Sequence, residues 1–131
     1  MAGVQLKGMG KTTKLVNDMV KRTTNQAPAF KVIGQQGLAD ILKHFRDESG
    51  PDGKWKPLKS RQGKILQDTG RLRGATKAFT MPDRTILINN VEYASYHQKG
   101  KGVPQRKFMW ISKKAIILMG KTLLRYFVKG K

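Results

Sequence analysis

The nine residues from Asp47 to Trp55, DESGPDGKW, constrain this chain more than any other stretch. Gly50-Pro51 and Asp52-Gly53 are consecutive turn formers, because proline cannot continue a helix and Asp-Gly accepts the backbone angles of a tight turn. Any helix arriving from the N-terminal side must stop here. Upstream, Phe30, Ile33, Leu38, Ile41, Leu42 and Phe45 trace one face of a helix that Pro28 opens, in a first turn where a missing N–H is no loss. Gly34 and Gly37 lower its propensity and mark either close packing or a bend. An earlier helix runs from Lys11, with Leu15, Val16, Met19 and Val20 at helical spacing and Thr12 or Thr13 as its cap. Thr23-Thr24-Asn25-Gln26 ends it. Val4 and Leu6, within Gly3 to Met9, alternate as a short edge strand does.

Downstream of the turn the pattern changes. Lys54 to Lys64 reads as an extended basic loop with two apolar anchors, Trp55 and Leu58, and Ile65 to Leu72 holds a short helical turn. Ala75–Thr80 and Thr85–Asn89 read as paired strands around Met81-Pro82-Asp83-Arg84, with Ile86 and Ile88 on one face. Val91 to Gln98 is compact and aromatic, KGKGVP follows as a loop, and Phe108 to Ile111 suggests a further strand. Ser112 caps a last helix to about Val128. Its apolar face is Ile116, Met119, Leu123, Leu124 and Phe127, with Lys114, Lys121 and Arg125 on a different one. Burial of that face on its own domain is the expectation, although a basic amphipathic helix also suits a membrane surface or a partner protein.

Length and charge bound what such a chain can be. Its 131 residues predict a single domain, 1–131, large enough for one core. No apolar run approaches the length that crosses a bilayer and no signal-peptide pattern is seen, which predicts synthesis in the cytoplasm and no membrane partner. Cysteine is absent, so disulfides and thiolate metal sites are excluded. The outlier is charge: 27 Lys and Arg face 8 Asp and Glu, a formal net charge of +19. The excess is spread through all parts of the chain rather than held in a tail. That pattern predicts a basic folded surface with a polyanionic neighbour, either nucleic acid or an acidic protein.

Candidate chemistry is sparse. LKGMGKTTKLV, Leu6 to Val16, ends like a phosphate-binding loop at Gly10-Lys11-Thr12, yet the first glycine of that motif falls on Gln5, and Gly8 lies inside the spacer. No apolar strand precedes it, and no apolar run ending in Asp is available for magnesium, so a flexible lead into a helix is the better reading. His44 and His97 lie in different elements without metal-ligand spacing. His44 is expected on a solvated helix face, and His97 packed beside Tyr93 and Tyr96. No serine sits in a nucleophile elbow. Asp68-Thr69-Gly70 shares three letters with aspartic proteases but lacks the apolar strand that carries them. Neither an enzyme nor a cofactor site is expected. Direct nucleic-acid contact stays open: Lys54, Lys56, Lys59, Arg61 and Lys64 flank Trp55, which either stacks on a base or pins the loop to the core.

Four segments in order carry a resemblance. GPDGKWKPL (Gly50 to Leu58), KILQDTGRLRGA (Lys64 to Ala75), VEYASYHQKG (Val91 to Gly100) and VPQRKFMWIS (Val103 to Ser112) together resemble the tailed-phage virion morphogenesis, or tail completion, family. The resemblance implies an α+β fold, with a small antiparallel sheet flanked by N-terminal helices and a C-terminal amphipathic helix. It also implies structural work late in assembly. Such proteins complete the tail or join it to the head, as rings of usually six copies at the neck or head-proximal tail end, around the DNA channel. Implied partners are further copies of the chain, the tail tube and head-completion or connector proteins, with non-specific DNA contact. The implied location is the virion, after assembly in the host cytoplasm. A ring of this charge needs acidic neighbours or DNA, so many lysines should face acidic partners or solvent rather than the bore. A small basic nucleic-acid-binding protein is the competing reading.

On this resemblance the motif residues acquire expected roles, each of which is either core duty or partner contact. Trp55 and Leu58 anchor the basic loop. Thr69, Gly70 and Leu72 shape the turn into the sheet, Thr69 as a cap and Gly70 through its backbone angle. Tyr93, Ala94, Tyr96 and His97 pack an aromatic corner that Gly100 closes. Pro104, Arg106 and Phe108 lead into the last strand, with Arg106 bonding free carbonyls or a carboxylate. Lys54, Lys56, Lys59, Arg61, Lys64, Lys99 and Lys101 are the candidate contacts to an anionic partner.

Overall fold

A long central helix organises the structure, a computed structural model that describes residues 10–59, 63, 65–67 and 70–131. The element order is α1 (Gly10–Thr24), α2 (Ala27–Asp47), β1 (Ser49–Gly50), β2 (Gly53–Lys54), α3 (Arg71–Gly74), β3 (Thr76–Met81), β4 (Arg84–Asn89), α4 (Ala94–Lys99) and α5 (Lys113–Lys129). Two small antiparallel two-stranded sheets accompany the helices, β1 with β2 and β3 with β4, so the fold is α+β. The strand expected at Gly3 to Met9 lies outside the described residues.

α2 holds Pro28 in its first turn and ends at Glu48, whose left-handed backbone (φ 54°) lets its N–H donate to His44 O. The expected turn takes the form of a hairpin of its own, Ser49 opposite Lys54 and Gly50 opposite Gly53. The β3–β4 hairpin falls within a residue of the expected strands and turns at Pro82-Asp83, with Ala78 opposite Leu87 and Phe79 opposite Ile86. Its inner face rests on α2 at unusually short range. A Cβ at Gly34 would stand 2.7 Å from Thr85 Oγ1, and one at Gly37 would stand 2.7 Å from Leu87 Cδ1. The two glycines therefore serve close packing, not a bend.

α1 begins at Gly10, so Thr12 and Thr13 stand inside its first turn instead of capping it. α5 is capped as read from sequence: Ala115 N–H donates to Ser112 Oγ at 3.2 Å. Its buried residues are Ala115, Thr122 and Tyr126, and it meets α2 where Met119 lies near Gly37 and where Gln36 Nε2 donates to Thr122 Oγ1 at 2.8 Å. α1 and α5 are tied at one end, where Arg22 Nη1 donates to Phe127 O at 2.7 Å and Tyr126 OH donates to Asn25 O at 2.7 Å. The main core lies at the other end of α2, around Phe45, which has no exposed surface.

Candidate assembly surfaces

The four motif segments converge on Phe45. Trp55 is buried edge-on against it (5.7 Å between centroids), and Phe108 tilts against it from a second side at 5.4 Å. Ile65, Leu66, Leu72, Val91 and Ala94 complete the cluster, and Leu58 packs at its margin. Several polar groups of this corner find partners within it. Trp55 Nε1 donates to Lys107 O at 3.0 Å, and the ring lies inside the core, out of reach of any base. Arg106 is buried and forks onto two carbonyls of the basic loop, Nε to Lys56 O at 2.9 Å and an Nη to Pro57 O at 3.1 Å. Arg106 N–H in turn donates to His97 O at 2.8 Å.

One residue of this corner was missed from sequence, Gln98. Its Oε1 accepts from Phe108 N–H and Met109 N–H, both at 3.1 Å, while its Nε2 donates to Met109 O at 3.0 Å. A side-chain amide thus supplies what a neighbouring strand would. For that reason Phe108 to Ile111 is irregular, not the strand expected there. The available signal was its place in the VEYASYHQKG motif segment.

The remaining predicted residues fall around the corner. Tyr93 meets His97 edge to face at 6.0 Å, and the Arg71 guanidinium sits 5.8 Å from the Tyr93 ring centre. His97 Nδ1 is buried without a hydrogen-bond partner. Burial, and then the nearby Arg106 charge, push the His97 pKa below its ordinary value. Gly70 (φ 75°) precedes α3 and Gly100 (φ 76°) closes α4. At Gly100 a Cβ would also stand 2.8 Å from Gln105 Cβ. Leu72 is buried, its carbonyl accepting from Asn89 Nδ2 at 2.6 Å, and Pro104 is half-buried. Lys54, Lys56, Lys59, Lys99 and Lys101 are exposed, and Lys54 Nζ donates to Asp47 O at 2.7 Å. Arg61, Lys64, Asp68 and Thr69 lie outside the described residues, as do Gln5 and Gly8.

His44 corrects a second expectation. It is buried, not solvated, and stacks on Trp110 at 3.8 Å with the rings 9° from parallel. Its Nε2 lies 3.0 Å from Trp110 O and 3.2 Å from Asp40 Oδ2. Asp40 also accepts from Ser112, from Oγ and from N–H, both at 2.8 Å. Serine, histidine and aspartate therefore meet, but with the carboxylate in the middle. A catalytic triad needs the imidazole between the other two. Here the group fastens α2 to the start of α5. Among the described residues no cluster of three or more His, Asp or Glu could hold a metal ion.

What this chain leaves uncovered lies elsewhere. α1 buries no residue at all, and Leu15, Val16 and Val20 on its apolar face are about half exposed. On α5, Ile116 and Leu124 were expected to be inside; instead they are 55% and 65% exposed, along with Ile117, Leu118 and Val128. Met119, Leu123 and Phe127 of the expected face are half-buried, and the fully buried stripe is the adjacent one, Ala115, Thr122 and Tyr126. The outer face of the β3–β4 hairpin carries a third exposed group: Phe79, Met81 and Ile86. Scattered apolar exposure needs no explanation, but aligned exposure on three elements marks contact surfaces.

The sequence profile of the phage virion morphogenesis family matches residues 9–126. The chain belongs to that family. A similar curated protein is the Mu-like prophage FluMu G protein 2 of Haemophilus influenzae (strain ATCC 51907 / DSM 11121 / KW20 / Rd), 26% identical over 117 residues, which covers 83% of each chain. No solved structure matches this chain. Membership gives the protein a structural role in phage virion morphogenesis and associates it with the virion. The motif corner holds the buried core, and the uncovered apolar residues lie on α1, α5 and the outer face of the β3–β4 hairpin. No helix among the described residues is long and apolar enough to cross a membrane.

Proposed function

We propose that the protein is a non-enzymatic structural component that completes the tail or joins head and tail. It acts as a ring of its own copies, six being the expected number, at the neck or head-proximal tail end around the DNA channel. The observation that carries this reading is the β3–β4 hairpin. Its inner face is packed on α2, yet its outer face pairs Phe79 with Ile86 in solvent, and no third strand joins either edge among the described residues. A two-stranded ribbon is marginal by itself, and an apolar outer face with free edges is a ready site for a neighbouring copy. The ribbon's tip is also close to neutral, because Asp83 and Arg84 pair at 3.0 Å, so like-charge repulsion between copies is least there.

Light scattering across a concentration series, with negative-stain imaging of the protein alone and mixed with tails that lack it, tests the ring. Concentration-dependent rings, or caps on the tails, are expected. A protein that stays monomeric in both settings refutes the reading. The charge of +19 keeps a second reading in view, a small nucleic-acid-binding protein. Tight, steeply salt-dependent DNA binding by the isolated monomer would favour it. The burial of Trp55 removes the stacking group on which that reading drew.

A further inference from the structure

The outer face of α5 differs from the hairpin in one respect that identifies its occupant. Ile117, Leu124 and Val128 follow one another at intervals of seven and four, a single line along the helix, and all are exposed. Beside that line stand Lys114, Lys121 and Arg125, again at intervals of seven and four. The helix contains no Asp or Glu anywhere between Lys113 and Lys129. An apolar line with a cationic ridge asks for a partner with apolar anchors and a surplus of carboxylates.

A second copy of this chain does not have that surface. Among the described residues its carboxylates are few and mostly engaged within the chain. Asp18 pairs with Lys14, Asp83 with Arg84 and Glu92 with Arg71, while Asp40 is taken by Ser112. DNA supplies negative charge but nothing to cover isoleucine and leucine. A lipid surface would meet a helix whose inner face is already committed to α2 and whose exposed face carries no tryptophan, the residue that favours the membrane interface.

Gly120 adds a second, independent observation. It lies mid-helix between Ile117 and Leu124, where glycine disfavours helix, and a Cβ there would meet nothing within 4 Å. Packing among the described residues gives no reason for it. Gly34 and Gly37, in contrast, are pressed against the hairpin. A gap in an apolar line admits the close approach of another backbone or of a projecting side chain.

We propose that the outer face of α5 is the seat of a second, acidic virion protein, bound across the Ile117–Leu124–Val128 line at the Gly120 gap and steered by the Lys114–Lys121–Arg125 ridge. This rests on the assembly role proposed above but concerns a different surface from the contact between copies. The two are separable by photo-cross-linking in assembled particles, with a benzophenone amino acid placed at Leu124 in one preparation and at Phe79 in another. The Leu124 probe is expected to cross-link to a different virion protein, within a segment in which Asp and Glu outnumber Lys and Arg. The Phe79 probe is expected to cross-link to another copy.

A Leu124 cross-link to this chain, to DNA or to a segment without acidic excess overturns the proposal. So does no cross-link at Leu124 in particles where Phe79 does cross-link. Loss of the Phe79 cross-link alone overturns the ring and leaves this surface standing. As a check that does not depend on the probe, Gly120→Leu should fold normally yet lower the yield of completed particles at least tenfold; unchanged yield overturns the proposal. Binding to vesicles of one part phosphatidylglycerol to three parts phosphatidylcholine, abolished by Leu124→Ser, would assign the face to lipid and also overturn it.

Discussion

Two regions of this protein treat apolar side chains in opposite ways. In the motif corner Phe45, Phe108 and Trp55 are inside, and the indole N–H and the Arg106 guanidinium are each given an acceptor. On the outer side of α5, Ile117 and Leu124 are largely exposed. The first region carries the family's four segments; the second carries none of them apart from the capping Ser112. Motif density in this chain therefore coincides with the buried core rather than with the exposed apolar faces. An assembly protein can keep its scaffold while its outer helices adapt to a neighbour.

The largest expected difference between the regions is in stability. Phe108→Ala should cost about 3–5 kcal/mol, because an almost fully buried ring leaves a cavity among aromatic neighbours. Leu124→Ser and Ile117→Ser should stay within about 0.5 kcal/mol of the parent, as exposed substitutions do. Urea denaturation of the three variants measures both. A Leu124→Ser variant as damaged as Phe108→Ala would show that α5 is covered within the monomer and would break the comparison.

Next in size is Arg106→Met, which keeps the side-chain volume but leaves Lys56 O and Pro57 O without their donors. A loss of about 1–3 kcal/mol is expected from two buried carbonyls left unsatisfied. Arg106→Lys should recover only part of it, since an ammonium lacks the fork that reaches both carbonyls. Should Arg106→Met melt like the parent while particles fail to complete, the residue is a partner contact and the corner is part of an interface. The glycines come third. Gly34→Leu should destabilise by about 1–3 kcal/mol through overpacking against Thr85 and Ala78. Gly120→Ala should instead raise stability by about 0.5–1 kcal/mol, the helix-propensity gain alone. Thermal midpoints that move in the same direction would erase the distinction between an inner and an outer glycine.

Sequence made the elements legible wherever one physical rule acted locally. Pro28 and the Ser112 cap placed two helix starts, and Pro82-Asp83 between β-branched runs placed the hairpin to within a residue. The same rules failed where a distant group decided the outcome. Gln98 replaced a strand partner for Phe108 and Met109, which no periodicity reveals. Trp110 drew His44 inward from a helix face that looks polar in sequence. α5 shows the limit most plainly. Its hydrophobic periodicity identified an apolar face, but periodicity does not say which of two adjacent stripes meets the core. The chain buries the weaker one, Ala115, Thr122 and Tyr126.

The smallest expected effect concerns pH, and it too separates the regions. His97 is the titratable ring of the corner, set against Tyr93 and near Arg106, and its pKa is held below the ordinary 6.5 by burial and by that cation. Between the ordinary and the lowered value the unfolded chain binds a proton that the folded chain does not. Stability therefore falls as pH drops through 6.5 and levels off only below the folded-state value. The exposed face of α5 carries no histidine, aspartate or glutamate. Acidification from pH 7.5 to 5.5 should thus lower the thermal midpoint of the parent by more than that of His97→Phe, which has no proton to gain at this position. Measured in parallel, Lys121→Gln should retain the parent's slope. Superimposable pH profiles for parent and His97→Phe would mean that the imidazole reaches solvent in both protonation states, and that the rim of the corner is looser than its buried Nδ1 implies.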